Sequence, residues 1–247
     1  MTSFKDHFSS HASGYAAYRP TYRPELVTFL AGIAPGTGLA IDCGCGTGQL
    51  SVPLASRFSR VVAVDASEAQ IAAASPHPRV VYRVAPADRT GEADGSADLV
   101  TVAQAAHWFA LDAFYEEVRR VLRPGGVVAL ITYGILDVDK DIKPLVEAFF
   151  FEVIGPFWPP EREHVNTGYR HLSFPFDELE PPPLSIDVSW TFPEFMGYID
   201  TWSAVREAEK SVGRGPVISF AEALGKVWGP PGRRTIRWPL SMRVGRL

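Results

Sequence analysis

The run Gly44-Cys45-Gly46-Thr47-Gly48 constrains this chain most, because of what stands on either side of it. Gly38 to Cys43 is a short apolar stretch carrying Asp42 and reads as a strand. Beyond the glycines, Leu50, Leu54 and Phe58 fall on one helical face, with Pro53 removing a backbone donor, so a locally irregular helix is expected. A bare G-x-G-x-G is weak in a chain with 21 glycines among 247 residues, and its meaning comes from sitting between a strand and a helix.

The same alternation continues on both sides. A helix is expected over Pro24 to Ala34, with Pro24 in its first turn and Gly36 at its exit. Arg60 to Asp65 reads as a second strand; Ser67 and Gln70 then have capping-box spacing ahead of a helix running to Ala74. Val80 to Val84 and Asp98 to Ala103 read as the third and fourth strands, and Asp112 to Leu122 as a helix. Arg123-Pro124-Gly125-Gly126 makes the turn into a fifth strand, Val127 to Tyr133. Strands alternating with helices in this way predict an α/β fold with a doubly wound, mostly parallel sheet.

After Tyr133 the pattern changes. Lys143 to Ile154 reads as a helix, a proline-rich irregular stretch runs to Pro183, and Leu184 to Trp190 reads as a strand. Helices are expected over Pro193 to Glu209 and Pro216 to Trp228. Trp238 to Val244 alternates like a half-buried strand, with Pro239 at its start or on an unpaired side. The tail is thus expected to add two strands to the sheet edge and a helical cover. One domain with three parts follows: a lid segment 1–22, a ligand-binding core 23–133, and a part 134–247 that completes the sheet and covers the acceptor side.

Composition narrows the class. The net charge of −4 offers no positive field for nucleic acid, and no run of apolar residues is long enough to span a membrane. Arg233, Arg234, Arg237, Arg243 and Arg246 make the C-terminus locally basic and read mainly as a solvated face. Met1 to Ser10 is polar with no apolar h-region, pointing to the cytoplasm. Cys43 and Cys45 read as small residues filling a turn, and the six histidines have no metal-ligand spacing, so no metal is implied.

In an open α/β sheet, a glycine turn after the first strand and an acid at the end of the second mark the crevice for a ribose-bearing ligand. Asp65 stands 17 residues after Gly48. A dinucleotide fingerprint would want glycine where Gln49 stands, and Asp42, two residues before the first glycine, would repel a pyrophosphate while favouring an ammonium group. S-adenosylmethionine carries ribose, adenine and an α-ammonium without phosphate, so it is the expected cofactor. An NAD-dependent oxidoreductase and a non-catalytic nucleoside-binding protein are the alternatives.

The run IDCGCGTGQL, the acid of VVAVDAS, the ADRT-to-DGSADLV segment and the VLRPGG turn together resemble the class I S-adenosylmethionine-dependent methyltransferases of the type 11 group. AQAAHWF, YRPTYRPEL, YIDTWSAV and WPLSMRVGR are similar to the trans-aconitate methyltransferase and cantharidin-resistance branch. This resemblance implies a seven-stranded sheet of order 3-2-1-4-5-7-6 with an antiparallel last strand. It implies that Asp42 holds the cofactor's ammonium directly or through water, that Gly44, Gly46 and Gly48 form a floor beneath methionine and ribose, and that Asp65 accepts the ribose hydroxyls. Asp88 would meet the adenine amino group, although the family often has glutamate there, and Gln104 would lie under the methionine moiety. Tyr15, Tyr18, Arg19 and Tyr22 lie where the family has a segment folding over the cofactor, and a tyrosine face near a sulfonium contributes roughly 0.5–2 kcal/mol.

Methyl transfer from a sulfonium needs alignment more than acid–base chemistry. The expected reaction is O-methylation, of a carboxylate or hydroxyl, on a small-molecule acceptor, by a monomer or homodimer. His107, after the fourth strand, is the candidate catalytic residue, either as a general base with a near-neutral pKa or as a hydrogen-bond donor to an acceptor carboxylate. Arg23, Arg170 or a C-terminal arginine is expected to clamp a substrate carboxylate. Of 29 aromatic residues, only 8 fall in 23–133 and 16 fall in 134–247, which suggests an aromatic-lined acceptor half.

Overall fold

A computed structural model describes residues 20–229 and 232–247. Pro24–Ile33 (α1) begins with proline in its first turn and buries Leu26, Val27 and Leu30. Leu39–Cys43 (β1) is buried throughout, and the glycine turn leads into Ser51–Leu54 (α2), a helix of only four residues containing Pro53. Arg60–Asp65 (β2), Glu68–Ala72 (α3) and Val80–Val84 (β3) follow. The Ser67 side chain caps α3 by accepting from the backbone N–H of Gln70, as the spacing predicts, although the helix is shorter than expected.

Ala97–Ala103 (β4) and Leu111–Val121 (α4) come next. Leu122–Thr132 (β5) takes the Arg123–Gly126 turn into the strand as an irregularity: Ala97 pairs with Leu122 and Leu99 with Val127. Buried Asp98 ties the start of β1 to β4 by accepting from the N–H groups of Gly38 and Leu39 at 2.7 and 2.9 Å.

Lys143–Ala148 (α5) continues as one π-type turn over Phe149–Val153, and Arg162–Asn166 (α6) is a short helix inside the stretch expected to be irregular. Asp177–Leu179 (β6), Ser185–Trp190 (β7), Phe192–Ile199 (α7), Ser203–Val212 (α8), Gly215–Trp228 (α9), Arg234–Pro239 (β8) and Ser241–Arg246 (β9) complete the chain.

The main sheet has seven strands in the order β3-β2-β1-β4-β5-β9-β6. Numbered within the sheet alone, this is 3-2-1-4-5-7-6, and β9 runs antiparallel to β5, as expected. Each central strand alternates its side chains between two cores: Val61 and Ala63 of β2 face one, Val62 and Val64 the other. Both faces are dry, as a parallel sheet under helices on both sides requires.

The tail departs from expectation. The segment from Trp238 to Val244 is not one strand but the end of β8 and most of β9, broken at Leu240. Leu184 to Trp190 does not extend the main sheet; β7 pairs antiparallel with β8 in a separate two-stranded sheet. The true edge strand, β6, lies in the proline-rich stretch. Pro239 is the last residue of β8 rather than its start, opposite Ser185, and Leu240 just beyond it still donates to Leu184 O at 2.9 Å. The single helix expected over Pro193 to Glu209 is two, α7 and α8, separated at Asp200 to Trp202.

Candidate functional site

The carboxyl ends of β1, β2 and β4 open on a cleft of about 610 Å³. Asp42, Gly44, Gly46, Asp65, Asp88, Gln104, Tyr22 and His107 all border it, so most of the sequence-derived candidates converge on one space. Gly48 does not line it. Tyr15, Tyr18 and Arg19 lie outside the described residues.

The glycine turn is built for close approach. Gly44 and Cys45 both donate to the Val64 carbonyl, at 2.8 and 3.1 Å, which fastens the end of β1 to the end of β2. Gly44 has φ +65°, and a Cβ there would stand 2.5 Å from that of Ala105, so no other residue fits without displacing the loop after β4. Gly48, with φ +96°, is needed for a different reason: a side chain there would strike the Tyr82 hydroxyl.

Two carboxylates flank the turn in different environments. Asp65 accepts from the backbone N–H of Gly46 through Oδ2 and from that of Ser67 through Oδ1, both at 2.9 Å. Its oxygens are thereby oriented by the backbone and retain lone pairs for a ligand. Asp42 is fully buried beneath the turn, with Ser51 Oγ donating to Oδ2 at 2.6 Å and Thr101 Oγ1 to Oδ1 at 2.8 Å. Burial pushes its pKa from 3.8 up to about 6, against the opposing pull of the two hydroxyls.

Gln104 turns the chain out of β4 with φ +59°, and with Tyr169 (φ +63°) it is one of the two non-glycine residues with positive φ among the described residues. Such backbones cost about 1–3 kcal/mol each and persist only where other contacts enforce them. For Gln104 the contacts are clear: its N–H donates to Ile131 O, its Nε2 to Tyr133 O at 2.9 Å, and Thr132 Oγ1 donates to its Oε1 at 2.7 Å. The side chain therefore braces the ends of β4 and β5 against each other at the cleft wall.

His107 lies on the single 3-10 turn Ala106–Trp108, with Nδ1 2.8 Å from the buried Tyr169 hydroxyl. Burial, with Arg162 and His164 nearby, lowers its pKa from 6.5 to about 3. The near-neutral base expected at this position is thus replaced by a neutral imidazole.

The far wall comes from the tail: Trp158 and Arg162 from the segment before β6, and Tyr198, Trp202 and Arg206 from α7 and α8. Arg162 stacks over Trp158, with its guanidinium carbon 4.6 Å from the ring centroid. Trp202 stands at the N-cap of α8 and Arg206 follows within its first turns, with Arg206 Nη2 donating to Thr201 O at 3.0 Å.

These two arginines were not among the sequence candidates, and those that were do not border the cleft. Arg23 and Arg237 pair with Asp187, Arg234 with Asp139 and Asp141, Arg233 with Glu194, and Arg243 with Glu178. Arg246 bonds to the carbonyls of Gly125 and Ile33, and Arg170 to that of Thr167. The basic C-terminus is therefore held by ion pairs and carbonyl bonds, Arg233, Arg234 and Arg237 within the cover and Arg243 and Arg246 on the main sheet. Few of the tail's aromatics reach the cleft: Trp158, Tyr198 and Trp202 line it, while stacks such as Phe149 on Phe220 (4.1 Å) pack the cover itself. Spacing held one usable signal, the Trp202–Arg206 pair; Arg162 sat in a stretch with no periodicity to place it.

Among the described residues, no group of three or more His, Cys, Asp or Glu side chains is arranged to hold a metal ion, and no helix is long and apolar enough to cross a membrane.

Residues 41–130 match the family described as a methyltransferase domain. A Dictyostelium discoideum protein described as a candidate methyltransferase is 34% identical over 193 residues, covering 77% of this chain and 73% of its own. A solved structure described as a candidate type II methyltransferase from Anaeromyxobacter dehalogenans superposes with a TM-score of 0.89 at 48% identity, covering 93% of this chain and 98% of that one. A ubiquinone biosynthesis O-methyltransferase of Agrobacterium fabrum is 33% identical over 148 residues, spanning 58% of this chain and 56% of its own length. With its seven-stranded order, its glycine turn and these relatives, the chain belongs to the class I S-adenosylmethionine-dependent methyltransferases.

Proposed function

We propose that the chain methylates an oxygen of a small acceptor molecule, a carboxylate in preference to a hydroxyl. The observation that carries this reading is the distribution of charge within one cleft: Asp42, Asp65 and Asp88 come from the strand ends, whereas the tail contributes Arg162 and Arg206 against the single carboxylate of Glu161. Cations have no favourable role beside a sulfonium, but they suit an acceptor that brings negative charge.

The residues at the glycine end fit S-adenosylmethionine. Asp65, its oxygens aimed by Gly46 and Ser67, takes the ribose hydroxyls. Asp42, fully buried beneath the turn, attracts the α-ammonium through water. Asp88, exposed at the rim, meets the adenine amino group. Gly44 and Gly46 let the backbone approach the methionine and ribose, with Gln104 beneath and Tyr22 above. The cofactor, when bound, supplies an electrophilic methyl group whose transfer to a carboxylate oxygen releases no proton. The chain's remaining tasks are to align the acceptor and keep water out, and Trp158 and Trp202 serve the second.

The relative named for ubiquinone biosynthesis O-methylation supports oxygen as the acceptor atom. A panel of small di- and tricarboxylates, phenols and alcohols, assayed with labelled methyl donor, tests the proposal. Label is expected in a base-labile ester of a carboxylate; transfer confined to nitrogen or carbon acceptors would overturn it.

A further inference from the structure

We propose that Tyr169 is a positioning residue that locks His107 in the tautomer with hydrogen on Nε2, so that the imidazole offers the cleft a hydrogen-bond donor and no base. The inference rests on the proposed acceptor side of the cleft.

The argument is one of proton accounting. His107 Nδ1 and the Tyr169 hydroxyl are 2.8 Å apart, so one hydrogen lies between them, carried by the nitrogen or by the oxygen. The phenol is fully buried, and burial raises its pKa, so it remains an O–H. Among the described residues the phenol oxygen has one hydrogen-bond partner, His107 Nδ1, so a hydrogen on Nδ1 would leave the buried phenol hydrogen without an acceptor. The Thr132 hydroxyl, which also faces it, has already donated its hydrogen to Gln104 Oε1, and as an acceptor a hydroxyl oxygen is weaker than an imidazole nitrogen. The Tyr169 hydrogen therefore goes to Nδ1, and a neutral imidazole that accepts at Nδ1 carries its hydrogen at Nε2.

The ring's direction follows. Nδ1 is capped by a side chain with no exposed surface, so the edge left for the cleft is the Nε2 edge. Tyr169 itself holds a left-handed backbone, which only specific contacts maintain in an aromatic residue. A donor at that point binds an acceptor oxygen but takes no proton from it, so this ring favours an acceptor whose oxygen arrives ionised, as a carboxylate does, over an alcohol.

The test is two-bond proton–nitrogen correlation spectroscopy of the full-length, nitrogen-15-labelled protein at neutral pH, with the His107→Gln variant assigning the ring. The wild-type ring is expected to show an unprotonated Nδ1 and a protonated Nε2. In Tyr169→Phe the ring should populate both tautomers, with kcat on a carboxylate acceptor falling about tenfold or more while the Kd of S-adenosylhomocysteine stays within about twofold. A wild-type ring with hydrogen on Nδ1, or mixed, overturns the proposal, as does a Tyr169→Phe ring that keeps the Nε2–H form alone. The wild-type spectrum needs neither ligand nor turnover, so failure of the proposed acceptor class would be seen separately, in the methyl-transfer panel.

Discussion

The carboxylate of Asp65, at the end of β2, accepts a 2.9 Å hydrogen bond from the backbone N–H of Gly46 in the turn after β1. One acid therefore both borders the cleft and clamps the turn beside it. Asp65→Ala should weaken S-adenosylhomocysteine binding about 100-fold, through lost ribose bonds and a loosened turn, read by calorimetry. An affinity within threefold of wild type would show that the ribose lies elsewhere.

The Asp42 carboxyl has a pH window of its own. It keeps its proton up to about pH 6 in the folded chain, against about 3.8 in an exposed carboxyl. Between those values the folded state binds more protons, so this group costs stability as pH rises, with the full cost reached above pH 6. A ligand ammonium prefers the ionised form. S-adenosylhomocysteine should therefore bind about tenfold more weakly per pH unit below 6 and should release a proton on binding in that range. Thr101→Val, which removes one of the opposing hydroxyls, should move the midpoint upward.

His107 behaves in the opposite sense. Its folded pKa is about 3 against an ordinary 6.5, lowered first by burial and further by Arg162 and His164 nearby. The unfolded chain takes up this proton first, so stability should fall as pH drops below 6.5. His107→Gln should flatten the melting temperature against pH between 6.5 and 4. In the wild type, kcat should show no histidine limb between pH 6 and 8.

Arg162→Gln and Arg206→Gln should each raise the KM for a carboxylate acceptor roughly tenfold while leaving the S-adenosylhomocysteine Kd within about twofold. A change in cofactor affinity with no change in KM would reassign these side chains to the other part of the cleft.

Gly44→Ala places a methyl group against Ala105 in a backbone that side chains rarely adopt. Destabilisation of about 1–3 kcal/mol and a Tm lower by roughly 3–10 °C should follow, read by calorimetry. Gly95→Ala, also at positive φ but with no atom within 4 Å, should cost less, since only the backbone strain remains.

The strand ends and the glycine turn are legible in the sequence because their constraints are local. Positive φ demands glycine at Gly44, a capping serine stands three residues before Gln70, and the buried Val61 to Val64 of β2 read as a continuous apolar run. The tail's wall of the cleft is not, because its residues meet only after folding. Arg162 and Arg206 come from separate helices, and apart from the spacing of Arg206 from Trp202 nothing in their neighbourhoods distinguishes them from Arg234, which the cover uses for an ion pair with Asp141. The break at Leu240 was hidden for a related reason. The alternation of Trp238 to Val244 continues smoothly through a point where the chain changes sheets, and only the pairing partners, Ser185 to Trp190 for one half and β5 for the other, reveal the change.

That break has an architectural consequence. The main sheet ends on β6 and β9, which are neighbours in space, and residues 180–240 leave from the first and return into the second. Because the two exits adjoin, this whole excursion behaves as a graft on a sheet whose pairings close without it. A lineage could lengthen, shorten or recolour the graft, and with it the Trp202 and Arg206 side of the cleft, while every strand register beneath the glycine turn stays as it is.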